Sequence, residues 1–167
     1  GTIAYGVAND IPPESFRDKD VVIVGMGAFA VENARTAIEH GARHVTIVAR
    51  RYRLVLSRYA SYLTARLALD LKRVKPKEMN QKWAFIEKTH QSLLEATKTT
   101  HLLEDATIRH RGALHYKLRG TNATSDIFYL MHHYGVLDCK RDEIVRVGSD
   151  FVETKMGNTI QADIILK

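Results

Sequence analysis

An α/β fold, with a parallel sheet, flanking helices and a small β-meander, is predicted by three features of the sequence. The run from Val21 to Val24 is β-branched throughout, as is typical of a parallel strand buried on both faces. A second apolar run, from His44 to Ala49, follows a stretch with helical spacing. Near the end of the chain, short strands and a hairpin turn precede a last apolar run from Ile164 to Leu166. These features indicate one domain over residues 1–167.

Residues 1–19 are expected to form a lead-in loop, and residues 20–51 a strand, a glycine turn, a helix and a second strand. Gly25 allows the tight turn, and Gly27, which lacks a Cβ, lets the backbone approach a pyrophosphate closely. The N–H groups of the first helical turn have no internal partners, and the helix dipole favours an anion there. The segment is therefore predicted to be a Rossmann-like dinucleotide site. Its expected contacts are Gly25, Met26, Gly27, Ala28, Phe29, Ala30 and Glu32. For Glu32 the sequence leaves open whether it contacts the cofactor or interacts with the helix dipole.

The end of the second strand indicates which dinucleotide would bind. An NAD site usually places Asp or Glu about 20 residues after the turn, where it accepts hydrogen bonds from the ribose 2′-hydroxyl. Here that region holds Arg50 and Arg51, with Arg53 just beyond. Guanidinium groups suit a phosphate, whereas a carboxylate would repel one. NADP(H) is therefore favoured over NAD(H), with the three arginines as candidate ligands of the 2′-phosphate.

Residues 52–121 are predicted to form a helical section. Leu54, Leu63, Leu67 and Leu71 recur near helical spacing, which predicts a helix over residues 53–74. Pro76 marks a break, and a second helix is expected over residues 78–97. The segment from residue 99 to residue 121 shows no readable pattern.

Residues 122–167 are predicted to form a helix, the β-meander and a return strand. The helix is expected over residues 124–135, with Ile127, Leu130, Met131 and Tyr134 as its apolar stripe. Cys139 would follow in a loop, as a free surface thiol. The meander is expected over residues 143–147, 151–155 and 159–160, and the return strand over residues 164–166.

Composition narrows the classes of function. No apolar run approaches the ~20 residues that span a membrane, and the first residues do not have the pattern of a signal peptide, so a cytoplasmic protein is expected. The formal net charge of +6 is compatible with nucleic-acid binding, but attraction of a phosphorylated cofactor is the simpler interpretation, and no nucleic-acid partner is expected. The histidines have no zinc-type spacing, and the adjacent His132 and His133 diverge on a helix, so no metal site is expected.

The residues that carry the dinucleotide pattern, VVIVGMGAFAVENARTAIEHGARHVTIVARR over residues 21–51, resemble the NADPH-binding domain of flavin-dependent monooxygenases. These enzymes belong to the flavoproteins with two dinucleotide-binding domains. Residues 125–128 (SDIF) and 162–167 (ADIILK) also resemble that group. The resemblance implies that this chain is a domain from a larger enzyme and presents NADPH for hydride transfer to FAD on a neighbouring domain. The resemblance identifies no catalytic residue in this chain.

Some features of that group are not found here. Where its FxGxxxH fingerprint would place a histidine, this sequence has Tyr5, and both the FAD fingerprint and the Ala-Thr-Gly segment are missing. Two alternatives therefore stay open beside the monooxygenase domain. One is a stand-alone NADP-binding module without catalysis, and the other is the NADPH domain of another flavoprotein reductase.

Overall fold

A computed structural model describes residues 1–6, 10–70, 76–110, 113–116 and 123–167. The strands are β1 (Thr2–Ala4), β2 (Asp20–Val24), β3 (His44–Ala49), β4 (Val55–Leu56), β5 (Thr107–His110), β6 (Ala113–Tyr116), β7 (Ala123–Thr124), β8 (Leu137–Arg141), β9 (Ile144–Val147), β10 (Phe151–Thr154), β11 (Thr159–Gln161) and β12 (Ile164–Leu166). The α-helices are α1 (Ala28–Glu39), α2 (Arg58–Asp70), α3 (Pro76–Ala96) and α4 (Ile127–His133). Short 3₁₀ helices cover Pro13–Phe16 and Thr100–Leu103.

The central element is a five-stranded parallel sheet in the order β1-β12-β2-β3-β8, and it confirms the predicted α/β fold. A separate antiparallel sheet, β11-β10-β9, is the predicted β-meander. The return strand also lies where the sequence places it, because Ile164 of β12 pairs with Val21 of β2. Strands β2, β3 and β12 thus form the centre of the sheet.

The two faces of the sheet pack against different layers, which explains why its strands are apolar at consecutive positions. Val21 and Ile23 belong to the larger core, which includes residues of α1 and α4. Val22 belongs instead to a smaller core with Val152 and Ile160 of the meander. Because successive side chains of a strand point to opposite faces, a strand covered on both sides has no polar face.

The expected lead-in loop over residues 1–19 is wrong at its beginning. Residues Thr2–Ala4 form β1, which extends the sheet beside β12 in parallel register, with Thr2 opposite Ile164. The N–H of Thr2 donates to the carbonyl of Asp163 at 2.9 Å. Three residues are too few to show a period, so the pairing comes from the exposed backbone of β12 rather than from a local pattern.

The helical section also contains strands that the sequence did not predict. The helix expected over residues 53–74 begins only at Arg58, because Val55 and Leu56 form β4 and pair with β7. Residues 71–74 of that predicted helix lie outside the described residues. Helix α3 confirms the second predicted helix, and Pro76 is its first residue, a position that needs no N–H donor. Strands β5 and β6 pair antiparallel within the segment that showed no pattern.

Helix α4 begins later than predicted, and its buried stripe matches the predicted one only in part. Of the four predicted stripe residues, Met131 is buried and Ile127 is partly buried against the larger core, but Leu130 and Tyr134 are 49% and 75% exposed. Phe128 and Tyr129, outside the predicted stripe, are buried. The hydroxyl oxygen of Ser125 accepts the N–H of Phe128 at 3.2 Å, which fixes the start of the helix. The segment is short and rich in aromatic residues, so both the predicted stripe and the observed stripe have helical spacing. The sequence alone does not decide which of the two is buried.

The prediction that Cys139 lies in a surface loop is wrong. Cys139 is in β8 opposite Ile47 of β3, and its side chain is half-buried against the larger core. Burial raises the pKa of its thiol well above the ordinary value. Strand β8 is an edge strand with mostly polar residues, so its sequence lacks the apolar run that marks β2 and β3.

Candidate functional site

The candidate site begins at the turn between β2 and α1. Gly25 has φ +92°, a conformation that side chains other than glycine rarely adopt, and its N–H donates to the carbonyl of Val48 at 2.8 Å. Gly27 precedes the first residue of α1, and its carbonyl accepts the N–H of Val31 at 3.2 Å. The N–H groups of residues 28–30 therefore come before the first internal hydrogen bond of the helix and are available to an anion.

Space for such an anion is present above both glycines. A Cβ built on Gly25 or on Gly27 would meet no atom within 4 Å. The turn is thus open, and a side chain at either position would take up space that a ligand could use. Ala30 and Ala34 of α1 are buried, and their small side chains bring the helix close to the sheet.

A cleft joins this turn to the end of β3. It is lined by Gly25, Met26, Ala49, Arg50, Arg51 and Arg53. The three arginines are exposed, and none of them forms an ion pair within the described part of the chain. Their charge therefore faces the cleft region without a neutralising carboxylate, which suits a phosphorylated ligand.

Tyr52 anchors the arginine segment, a role that the sequence analysis missed. Its side chain is buried between two exposed arginines, and burial raises the pKa of its hydroxyl. The hydroxyl donates to the carbonyl of Cys139 at 3.2 Å, and its backbone N–H donates to a carboxylate oxygen of Asp105 at 2.9 Å. No local signal in the sequence indicates this anchor, because its two hydrogen-bond partners are distant in the chain.

The carboxylates beside this anchor, Glu104 and Asp105, do not compete for the cleft arginines. Arg141, at the end of β8, has an ion pair with Glu104 at 3.0 Å and lies 3.7 Å from a carboxylate oxygen of Asp105. Arg141 therefore neutralises part of this acidic pair, and the positive charge of the cleft remains available.

Five of the ten predicted site residues line this cleft, and the other five lie at the turn or in α1. Met26 lines the cleft with its side chain buried, and its sulfur accepts the N–H of Arg53 at 3.5 Å. Phe29 is 68% exposed beside the open turn, and Ala28 is exposed as well. Glu32 lies beyond the first turn of α1 and pairs with Arg35 at 3.3 Å. Glu32 is therefore the predicted contact farthest from the cleft along α1.

The lining of the cleft supports binding rather than acid–base chemistry. Among the described residues that line it there is no histidine, carboxylate, cysteine or tyrosine side chain, the usual general acids and bases. The described residues also contain no group of three or more His, Cys, Asp or Glu side chains that could hold a metal ion. Among the helices described, none is both long and apolar enough to cross a membrane.

Comparison with solved structures gives similar folds. The FAD-bound form 2 of OTEMO matches 99% of this chain with a TM-score of 0.61 and 15% identity, over 42% of its own length. OTEMO in complex with FAD and NADP (form 3) matches 99% of this chain with a TM-score of 0.60 and 14% identity. At such identities the likeness establishes the fold alone. The chain spans about two fifths of the length of OTEMO.

A more distant likeness is to the atypical thioredoxin reductase TRi from Desulfovibrio vulgaris Hildenborough. The TM-score is 0.44 and the identity is 11%, and the match covers 99% of this chain and 33% of the length of TRi. No protein-family model and no curated protein sequence matches this chain.

Proposed function

We propose that this chain is the NADPH-binding domain of a flavin-dependent oxidoreductase, and specifically of a monooxygenase. The observation that carries the proposal is the cleft itself, in which an open glycine turn at a helix N-terminus adjoins three exposed, unpaired arginines. The similarity of the fold to a protein solved with FAD and NADP supports the general class. The monooxygenase assignment depends on the resemblance of residues 21–51 and 162–167.

The residues present fit the cofactor. The N–H groups at the start of α1 would hold the pyrophosphate, and the missing side chains of Gly25 and Gly27 leave room for it. Arg50 and Arg51 would hold the 2′-phosphate, with Arg53 beside them. When bound, NADPH supplies a hydride, and this chain's own part is to bind and orient it.

The flavin partner is part of the proposal. FAD would be held by a second domain, which would be the partner of this one in the same parent protein. The chain by itself is expected to bind NADP⁺ and to show no binding of FAD at concentrations that saturate it with NADP⁺, because FAD has no 2′-phosphate for the arginines. Tight binding of FAD by this chain would contradict that division of roles.

The arginines are the best point at which to test the cofactor assignment. The double variant Arg50→Ala/Arg51→Ala should weaken NADP⁺ binding at least tenfold, because a hydrogen bond to a charged group contributes about 1.5–3 kcal/mol. Its effect on NAD⁺ should be much smaller. Isothermal titration calorimetry with both cofactors measures the two losses separately.

A matched control uses the same change of charge at the other end of the sheet. Arg17 and Lys19 are exposed and precede β2, away from the carboxyl ends of the strands. The variant Arg17→Ala/Lys19→Ala should leave NADP⁺ binding unchanged at physiological salt. Equal losses of NADP⁺ and NAD⁺ in the Arg50/Arg51 variant would mean that these arginines do not recognise the 2′-phosphate.

A further inference from the structure

An exposed aromatic ring lies at the carboxyl edge of the sheet, on the opposite side of the glycine turn from the arginines. Tyr5 follows Ala4 of β1, Lys167 follows Leu166 of β12, and Val24 ends β2. The register pairs Ala4 with Leu166 and Leu166 with Ile23, and the N–H of Lys167 donates to the carbonyl of Ala4 at 3.1 Å. Tyr5, Lys167 and Val24 therefore form one row across three adjacent strands.

The row lies where a Rossmann-like sheet binds the second half of a dinucleotide. From β2 the chain continues to β3 on one side, while β12 and β1 lie on the other side of β2. In such open sheets, ligands bind outside the carboxyl ends of the strands at the point where the strand order reverses. Three strand spacings of about 4.8 Å separate β1 from β3, so Tyr5 lies about 14 Å across the sheet from the arginine strand.

The backbone of Tyr5 is held in place although its ring is free of the core. A carboxylate oxygen of Asp10 accepts the N–H of Tyr5 at 2.6 Å, and the other accepts the N–H of Gly6 at 3.1 Å. A Cβ on Gly6 would collide with the side chain of Asn33, so Gly6 itself packs closely against α1. The ring itself is 63% exposed, and Val24 in the same row is 45% exposed. An exposed aromatic ring on a fixed backbone is well suited to stacking with a flat ligand.

The face of the ring already accepts a cation. The ammonium nitrogen of Lys167 lies 5.0 Å from the centroid of the Tyr5 ring. The nicotinamide ring of NADP⁺ is flat and carries a positive charge, and such a group is attracted to the face of an aromatic ring. With the adenosine end held at β3 and the pyrophosphate at the turn, an extended dinucleotide would continue across β12 towards β1.

We propose that Tyr5 is the stacking surface for the nicotinamide ring of the cofactor. The inference deepens the proposed NADPH site and rests on it. It assigns the two ends of the ligand to two separate groups of residues. The arginines after β3 recognise the 2′-phosphate, and Tyr5 after β1 stacks with the nicotinamide ring, whose positive charge in NADP⁺ adds to the attraction.

The test compares two ligands that differ in having a nicotinamide. NADP⁺ contains both ends of the proposed site, whereas 2′,5′-ADP contains only the end that the arginines would bind. The substitution Tyr5→Leu should weaken NADP⁺ binding at least fivefold, the low end of what stacking on an aromatic side chain contributes. It should leave the affinity for 2′,5′-ADP unchanged. Tyr5→Phe, which keeps the ring, should retain the affinity of the wild type for NADP⁺.

Tyr134→Leu is the matched control, because Tyr134 is 75% exposed and lies after α4, near the amino end of β3. It should change neither affinity. If Tyr5→Leu leaves NADP⁺ binding unchanged, or weakens the binding of NADP⁺ and of 2′,5′-ADP equally, Tyr5 is not the stacking surface. If the wild-type chain binds neither ligand, it is instead the proposed NADPH site that fails.

Discussion

A buried histidine gives the sharpest prediction about stability. The carbonyl of Val55 accepts hydrogen bonds from the Tyr129 hydroxyl and from Nε2 of His90, the latter at 3.1 Å. A carbonyl has no proton to donate, so Nε2 carries the proton in the neutral ring. His90 is 1% exposed, and burial lowers its pKa from 6.5 to about 4. Because the unfolded chain binds the additional proton more readily, the folded state loses stability as the pH falls from about 6.5 towards 4.

The magnitude follows from the two pKa values. Between pH 7.5 and pH 5, this one group should lower the free energy of unfolding by about 2 kcal/mol. Urea unfolding at both pH values measures the loss in the wild-type chain and in His90→Gln, which does not titrate. At pH 7.5 the His90→Gln variant should be less stable than the wild type. Between pH 7.5 and pH 5 its free energy of unfolding should fall by about 2 kcal/mol less than that of the wild type.

The exposed His133 supplies the control. The variant His133→Gln should keep the pH dependence of the wild type. If His90→Gln instead loses as much stability as the wild type on acidification, the buried neutral histidine is not a source of the acid sensitivity.

Four further predictions concern the two glycines of the turn, the aromatic core and a second, half-buried histidine. Gly27→Val should abolish NADP⁺ binding and leave the folded structure unchanged by circular dichroism, because its Cβ would meet open space and φ is −106°; undiminished affinity would remove the pyrophosphate assignment. Gly25→Ala should by contrast lower the free energy of unfolding by about 1–3 kcal/mol, since φ is +92° there, and a loss no larger than that of Gly27→Ala would contradict this reasoning. Phe128→Ala should cost about 3–5 kcal/mol in urea unfolding, because Phe128 is fully buried, and a loss below 1 kcal/mol would argue against its place in the core. Burial also lowers the pKa of His132 to about 4. Adding His132→Gln to His90→Gln should therefore reduce further the loss of unfolding free energy on acidification. If the double variant loses as much stability as His90→Gln alone, His132 does not contribute.

The part of the fold that the sequence predicts best is the part with the strongest periodic signal. Strands β2 and β3 are buried on both faces, so their apolar runs identify them without knowledge of their partners. The predicted bounds of the meander strands β9, β10 and β11 lie within one residue of the observed bounds, because hairpin turns limit where each strand begins and ends.

The strands that were missed depend on partners far away in the sequence. Strand β1 is held by β12, and β4 is held by β7, with Val55 opposite Ala123. Strands of two or three residues carry no period of their own, and an edge strand such as β8 has polar residues where β2 has apolar ones. Their positions are decided by tertiary pairing, which a local pattern does not contain.

The predicted site residues follow directly after strands with a strong signal. Gly25 at the turn and the arginines after β3 line one cleft. The anchoring role of Tyr52 was not visible, since it depends on Cys139 and Asp105, which are distant in sequence. That these residues bind a cofactor stays a prediction.

The most direct test of the account is a calorimetric titration of the wild-type chain with NADP⁺ and, separately, with NAD⁺ at physiological salt. NADP⁺ should bind at least tenfold more tightly than NAD⁺, because only NADP⁺ carries the phosphate that the exposed arginines would hold. Equal affinities, or no binding of NADP⁺, would contradict it.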